Sequence, residues 1–209
     1  MNGNFEASFK IITIGNCGVG KTSIFQRFIY DTFNNDLIST IGINYTCKDI
    51  TLSNDKIVQL KLFDTAGQER YHSLTKSYYK NADAVLFVYA INDIKSFENI
   101  KDWIQLYMNN NYGNNNNYIP LYLIENKNDL NREVNQNLID DFLNNNNFIF
   151  KSISAKLNEN NSINQLFMEL SELLYNNYEE FKRIGKKQKS LRIRHFVKQK
   201  KPKCKCGGY

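Results

Sequence analysis

The segment that most constrains the fold is Gly15-Asn-Cys-Gly-Val-Gly-Lys-Thr22, a full match to the phosphate-loop pattern G-x-x-x-x-G-K-[ST]. It follows the apolar run Phe9–Ile14 and leads into the helical pattern Thr22–Tyr30. Glycines let the backbone curl so that successive N–H groups point at one anion, and the helix that begins there adds the positive end of its dipole. The motif predicts a strand, a phosphate-binding loop and a helix in direct succession.

Two side chains of this loop have predicted roles. Lys21 would span the outer phosphates of a nucleotide, and the Thr22 hydroxyl would bind Mg²⁺. The motif alone fits ATP as well as GTP, and a kinase as well as a switch. The loop residues that we expect to contact the nucleotide are Gly15, Asn16, Cys17, Gly18, Val19, Gly20, Lys21, Thr22 and Ser23.

Short apolar runs alternate with helical patterns in the rest of the chain, which predicts an α/β fold. Ile43 to Lys61 alternates instead, with a turn at Ser53-Asn54-Asp55, and this indicates an antiparallel hairpin. Ala84–Ala90 is apolar throughout, as a strand covered by helices on both faces must be. The other predicted strands are Phe9–Ile14, Val58–Phe63, Ile119–Ile124 and Phe148–Ile153. The predicted helices are Thr22–Tyr30, Ser96–Met108, Val134–Leu143 and Ile163–Tyr178.

A second motif, Asn126-Lys127-Asn128-Asp129, follows one of these strands. The Asp129 carboxylate can accept from both guanine N1–H and the exocyclic amine, whereas adenine has an acceptor at N1 and no amine beside it. Hydrogen bonds to charged groups contribute about 1.5–3 kcal/mol each, so Asp129 selects guanine. Asn126 would hold the loop, and the Lys127 stem would cover the base. In Ser154-Ala155-Lys156, the Ala155 N–H would reach guanine O6.

A third motif, Asp64-Thr65-Ala66-Gly67-Gln68, follows the strand that ends at Phe63. Asp64 can hold Mg²⁺, usually through water, because this ion keeps much of its hydration. Gly67 allows a backbone N–H to approach the γ-phosphate, and Gln68 can orient the attacking water. The Thr40 hydroxyl would reach Mg²⁺ only while a γ-phosphate holds its loop closed. These residues predict a site that senses the γ-phosphate and orients the water that hydrolyses it.

Together these elements resemble the Ras superfamily, and within it the Rab GTPases, over residues 8 to about 178. The resemblance implies a P-loop G domain, with a six-stranded, mostly parallel sheet, one antiparallel strand and helices on both faces. It also implies that Phe33 packs on the guanine and that Thr40 is a magnesium ligand. The effector surface would comprise Ile41, Tyr45, Phe63 and Tyr78. The segments that carry the resemblance are Ile41–Tyr45, Lys61–Arg70, Tyr71–Thr75, Tyr78–Ala82 and Phe87–Ile91.

The resemblance further implies a monomeric switch in vesicle trafficking that cycles between GTP and GDP. Its partners would be an exchange factor, a GTPase-activating protein, a GDP-dissociation inhibitor, a Rab escort protein and effectors. The activating protein would accelerate a slow intrinsic hydrolysis, because the switch loops contain no obvious catalytic arginine.

The charge is divided unevenly along the chain. Twelve of the 27 Lys and Arg residues lie in 182–209, which contains no acid, so residues 1–181 carry a net charge of −6 and the whole chain +6. We therefore expect a G domain at 1–181 and a flexible, disordered basic tail at 182–209. The acidic partner expected for this tail is an anionic cytoplasmic membrane surface and not nucleic acid.

The tail ends in Cys204-Lys-Cys206-Gly-Gly-Tyr209, which resembles the doubly geranylgeranylated end of a Rab. Single prenylation at Cys206 is the second interpretation. The few cysteines, and an N-terminus without the pattern of a signal peptide, favour a cytosolic chain. We expect a lipid-anchored protein on the cytoplasmic face of an endomembrane that cycles through the cytosol.

Three alternatives stay open at this point. The chain could sense GTP without hydrolysing it usefully, because Cys17 lies near the γ-phosphate. It could bind nucleic acid through its basic tail, although Phe196 is the only aromatic residue within the basic run. An ATP-dependent kinase is disfavoured by Asp129.

Overall fold

A sheet of six strands forms the centre of this computed structural model, which describes residues 5–34, 43–65, 79–110 and 119–199. The order across the sheet is β2-β3-β1-β4-β5-β6, and each neighbouring pair is parallel except β2 with β3. This confirms the predicted α/β fold with one antiparallel strand. The strands are β1 (Ala7–Ile14), β2 (Ile43–Thr51), β3 (Ile57–Thr65), β4 (Ala84–Ala90), β5 (Leu121–Asn126) and β6 (Ile149–Ser152).

Helices cover both faces of the sheet. They are α1 (Lys21–Tyr30), α2 (Ile94–Glu98), α3 (Ile100–Asn110), α4 (Gln136–Asn145) and α5 (Ser162–Gln199), with a 3₁₀ turn at Glu159–Asn161. Helices α1 and α5 share one face, where the rings of Phe28 and Phe167 stack with their centroids 3.9 Å apart. Helices α3 and α4 contribute Trp103 and Phe142 to the cluster on the other face.

Strand β4 shows why both faces need a cover. All of its residues are buried. Leu86 and Val88 belong to the cluster under α1 and α5, whereas Phe87 and Tyr89 belong to the opposite cluster. Because successive side chains of a strand point to opposite faces, a strand without polar alternation must be covered on both.

The predicted hairpin is also confirmed. Strands β2 and β3 pair antiparallel, with Tyr45 opposite Phe63 in the register. In the connecting turn the Leu52 N–H donates to Lys56 O at 2.8 Å, and Asp55 has a left-handed φ of 61°. Aspartate tolerates this conformation better than most residues, which suits it to such a turn.

Several predicted boundaries differ from the structure, three of them for local reasons. The helix predicted at Ser96–Met108 is two helices, α2 and α3, which are separated at Asn99. The strand predicted at Ile119–Ile124 begins instead at Leu121, because Pro120 has no N–H to donate to a neighbouring strand. The helix predicted from Val134 begins at Gln136, since the Asn135 side chain caps it by accepting from the Asn137 N–H at 2.9 Å.

The last helix is longer than predicted. Instead of ending at Tyr178, α5 continues to Gln199 and so includes the first part of the predicted flexible tail. Lysine and arginine are the most frequent residues in this stretch, and both favour helix. The boundary at Phe181 is therefore a change of composition and not a helix end, and the division into 1–181 and 182–209 stays a prediction. Among the described residues, no helix is both long and apolar enough to cross a membrane.

Candidate nucleotide-binding site

The predicted site residues that the structure describes meet at the carboxyl ends of the strands. The phosphate loop follows β1, Asp64 lies near the end of β3, Asn126 ends β5, and residues 154–156 follow β6. Ligands of parallel α/β sheets bind at this edge. The structure thus brings the described parts of the three motifs together, although they are far apart in the sequence.

Two glycines of the phosphate loop stand where no side chain fits. A Cβ on Gly15 would lie 2.2 Å from the Val88 carbonyl oxygen of β4. A Cβ on Gly20 would lie 2.2 Å from Asn126 Nδ2, and Gly20 also has a left-handed φ of 94°. The loop therefore lies directly on β4 and on the side chain that ends β5.

Lys21 extends back across the loop that precedes it. Its Nζ donates to the carbonyl oxygens of Gly15 at 2.9 Å and Asn16 at 2.7 Å, and the residue is only 5% exposed. Burial lowers the pKa of Lys21 to about 8, although the nearby Asp64 carboxylate acts in the opposite direction. An anion bound in the loop would favour the charged amine.

Thr22 and Asp64, two of the three predicted magnesium ligands, are in direct contact. The Thr22 hydroxyl donates to Asp64 Oδ2 at 2.6 Å, and Asp64 is buried. A hydroxyl and a carboxylate are oxygen ligands of the kind that Mg²⁺ takes together with water and phosphate oxygens, so these residues fit the ion. The third predicted ligand, Thr40, lies outside the described residues.

The base-reading motif is held by its own side chains. Asn126 Nδ2 donates to Val19 O at 2.8 Å, and Asn126 Oδ1 accepts from the Ala155 N–H at 3.1 Å. Asn126 thereby joins the phosphate loop to the segment after β6. The Ser154 hydroxyl donates to Asp129 Oδ1 at 2.6 Å, which orients the carboxylate. Because the Ala155 N–H already donates to Asn126, a guanine O6 at the predicted place would share this donor.

The remaining predicted residues that the structure describes differ in their exposure to solvent. Ser23 and Val19 are buried, Cys17 is exposed, and Phe33 packs partly buried against the core beneath α1. Lys127 is half-buried, and Lys156 is exposed. The predicted residues Thr40, Ile41, Gly67, Gln68, Tyr78, Cys204 and Cys206 lie outside the described part of the chain.

Part of the predicted effector surface is described. The rings of Tyr45 and Phe63 lie across the β2–β3 pair with centroids 4.9 Å apart, and Tyr45 is 52% exposed. Lys10 Nζ lies 4.8 Å from the centroid of Phe63. These two rings form a partly exposed aromatic pair across β2 and β3, and β3 also carries Asp64.

Sequence reasoning missed two residues that hold the site. Arg27 of α1 donates from Nε to Ala155 O at 3.0 Å and from Nη2 to Lys156 O at 2.9 Å. Trp103 of α3 donates from Nε1 to Asn16 Oδ1 at 2.8 Å. No local pattern marks either residue, because each contact joins segments far apart in the chain.

Comparison with known proteins agrees with this architecture. Residues 10–176 match the family model described as the Ras family. "Ras-related protein SEC4" of Candida albicans is 33% identical over 178 residues, which are 84% of this chain and 81% of that protein. The chain therefore belongs to the Ras superfamily of small GTPases, and within it to the Rab family.

Two further relatives match over a shorter stretch. "GTP-binding protein YPT1" of Saccharomyces cerevisiae is 44% identical over 105 residues, and "Ras-related protein Rab-10" of Caenorhabditis elegans is 48% identical over 101 residues. These stretches cover 50% and 48% of this chain and span half the length of each relative.

Proposed function

We propose that this chain is a GTP- and GDP-binding switch that hydrolyses GTP and recruits effectors in vesicle trafficking. The observation that carries this proposal is the meeting of Lys21, the Thr22–Asp64 pair and the Asn126–Asp129 segment at one edge of the sheet. A phosphate-binding element, a pair of oxygen ligands and a guanine-reading carboxylate together match the chemistry of a guanine nucleotide with Mg²⁺.

Different residues would bind the phosphates, the Mg²⁺ ion and the base of the nucleotide. Backbone N–H groups of the phosphate loop and the Lys21 ammonium would bind the phosphates, while Asp129 would accept from guanine N1–H and the amine. Thr22, Asp64 and Thr40 would hold Mg²⁺, which neutralises charge on the phosphate oxygens. Phe33 and the Lys127 stem would pack on the base.

Hydrolysis is assigned to Gln68, which would orient the attacking water while Gly67 contacts the γ-phosphate. The test is single-turnover hydrolysis by the purified chain and by Gln68→Leu. We expect a slow rate in the native protein and a rate at least about tenfold lower in the variant, equivalent to ~1.4 kcal/mol of barrier. Equal, negligible rates in both would instead favour a protein that senses GTP without hydrolysing it.

We further propose that Cys204 and Cys206 are prenylated after recognition by a Rab escort protein. Two lipid chains, or one chain with a basic segment, anchor a protein stably, whereas a single chain anchors it marginally. The basic residues of 182–209 would add about 1 kcal/mol each near an anionic leaflet. The site of action would be the cytoplasmic face of an endomembrane, reached through the cytosol with a GDP-dissociation inhibitor.

The location of a tagged full chain tests the anchor. The Cys204→Ser, Cys206→Ser double variant should leave the membrane fraction but still bind GDP. Comparing the two single variants separates the alternatives, because double prenylation requires both cysteines and single prenylation at Cys206 tolerates Cys204→Ser. Membrane binding that survives the double variant would contradict the lipid anchor. Salt-sensitive RNA binding by the double variant would favour the nucleic-acid alternative.

A further inference from the structure

A fully buried carboxylate lies directly before the base-reading motif. Glu125 is 0% exposed and accepts four hydrogen bonds. Arg132 donates to Oε2 at 2.8 Å and to Oε1 at 2.7 Å, so its guanidinium binds the carboxylate with two parallel bonds. The Tyr89 hydroxyl donates to Oε2 at 2.7 Å, and the Ser152 hydroxyl donates to Oε1 at 2.8 Å.

Every partner in this arrangement donates to Glu125, so both of its carboxylate oxygens act as acceptors. Arginine stays protonated in proteins, so Arg132 always donates to Glu125 as a positively charged group. Burial, followed by the bond to Glu125, raises the pKa of Tyr89 above its ordinary value, so the phenol keeps the proton that it donates. A buried charge is costly unless it is paired and hydrogen-bonded, and Glu125 meets both conditions.

Glu125 and its three partners come from the elements that surround the base-reading loop, residues 126–131. Tyr89 lies at the end of β4, Glu125 at the end of β5 and Ser152 at the end of β6. Arg132 follows the loop. The Glu125–Arg132 pair therefore joins the two ends of the loop and fixes them to the sheet beneath it.

The loop needs such support because one of its residues has an unfavourable backbone conformation. Lys127 has a left-handed φ of 64°, a conformation that costs a residue other than glycine free energy and persists only when its surroundings impose it. Leu130 N donates to Lys127 O at 2.9 Å within the loop, and Asn128 N donates from the loop to Ile153 O after β6 at 3.2 Å. These bonds hold the middle of the loop, and the Glu125–Arg132 pair holds its ends.

We infer that the Glu125–Arg132 pair is a positioning device that sets the base-reading loop for guanine. Glu125 and Arg132 do not touch the base. They act through Asn126 and Asp129, which lie between them in the chain. The inference rests on the proposed reading of guanine by Asp129. Stability alone does not explain the pair, because apolar residues of similar volume often stabilise a core as well as a buried ion pair does.

The test compares Glu125→Gln and Arg132→Met with the native chain. Glu125→Gln removes the negative charge but keeps the shape of the side chain. Arg132→Met removes the guanidinium, whose side chain is partly exposed. For each we would measure the dissociation rate of a fluorescent GDP and the ratio of the affinities for GDP and IDP. Hypoxanthine lacks the amine of guanine, so this ratio reports the contact with Asp129. We expect GDP to dissociate at least about tenfold faster, with a lower GDP-to-IDP ratio in both variants.

Leu174→Ala is the matched control, because Leu174 is a buried residue of α5 in the core on the α1 face. It should lower the melting temperature while leaving the GDP-to-IDP ratio at the native value. The inference would be overturned if Glu125→Gln and Arg132→Met both kept the native GDP-to-IDP ratio and the native dissociation rate of GDP. Equal changes in Leu174→Ala at equal loss of stability would also overturn it. A native chain that does not distinguish GDP from IDP would overturn the proposed reading of guanine, and this inference with it.

Discussion

The two ends of the proposed nucleotide site are built differently. At the phosphate end, one contiguous segment supplies the binding groups, and glycines that leave no room for a side chain bring its backbone against β4 and Asn126. At the base end, side chains from separate elements bind backbone groups and one another. They are Arg27 from α1, Asn126 at the end of β5, Asp129 in the loop that follows, and Ser154 after β6.

This difference has a physical origin. Phosphate oxygens are bound by backbone N–H groups, which every residue carries, so the loop needs only the correct curvature. A base is read by directional hydrogen bonds at its edge, so the side chains must be oriented within a few tenths of an ångström. The phosphate end should therefore be sensitive to backbone space, and the base end to the loss of supporting side chains.

Gly15→Ala should have the largest effect on the phosphate end. Its Cβ would overlap the Val88 carbonyl oxygen, and a strand in the middle of the sheet moves only at a cost of about 3 kcal/mol, or roughly 100-fold in GDP affinity. Gly18→Ala is the control, because a Cβ there meets no atom within 4 Å and only the φ of 77° is unfavourable. Calorimetric titration with GDP measures both affinities. Equal losses in the two variants would contradict the argument from backbone space.

Arg27→Ala should have the next largest effect, at the base end. It removes two hydrogen bonds from a charged group to the Ala155 and Lys156 carbonyl oxygens, each worth about 1.5–3 kcal/mol. Part of this cost is recovered by water, so we expect GDP to dissociate roughly 10- to 30-fold faster. Arg27→Lys, which keeps the charge but not the fork, should fall between native and alanine. Stopped-flow release of a fluorescent GDP gives these rates, and a native rate for Arg27→Ala would refute a supporting role.

Trp103→Phe should have the smallest effect, because it removes one neutral hydrogen bond, whereas Arg27→Ala removes bonds from a charged group. The change removes the bond from the indole N–H to Asn16 Oδ1 but keeps an aromatic ring in the core. The loss of one neutral hydrogen bond of ~1 kcal/mol would weaken GDP binding about fivefold. The comparison between the two ends would be wrong if this variant weakened binding more than Arg27→Ala does.

The same contrast explains how much the sequence predicts. Local patterns predict the α/β class, the hairpin, the phosphate loop and the Asn126–Asp129 motif, because each depends on neighbouring residues. The shift of β5 to Leu121 and the interruption at Asn99 depend on single residues within longer apolar patterns. Arg27, Trp103 and Tyr89 act on residues distant in the sequence, and only the fold reveals those pairings.

In the proposed site Asp129 selects guanine, and the variant Asp129→Asn tests this role. An asparagine carbonyl still accepts from N1–H, but its amide donates to the 2-oxygen of xanthine and opposes the 2-amine of guanine. Competition between GDP and XDP for the native chain and for the variant is the measurement. The variant keeps a neutral acceptor for N1–H and loses the bond to the 2-amine, and hydrogen bonds to a charged group are worth about 1.5–3 kcal/mol each. We therefore expect GDP affinity to fall by at least about 100-fold and the preference to reverse to XDP. An unchanged preference for GDP in the variant would show that Asp129 does not select guanine.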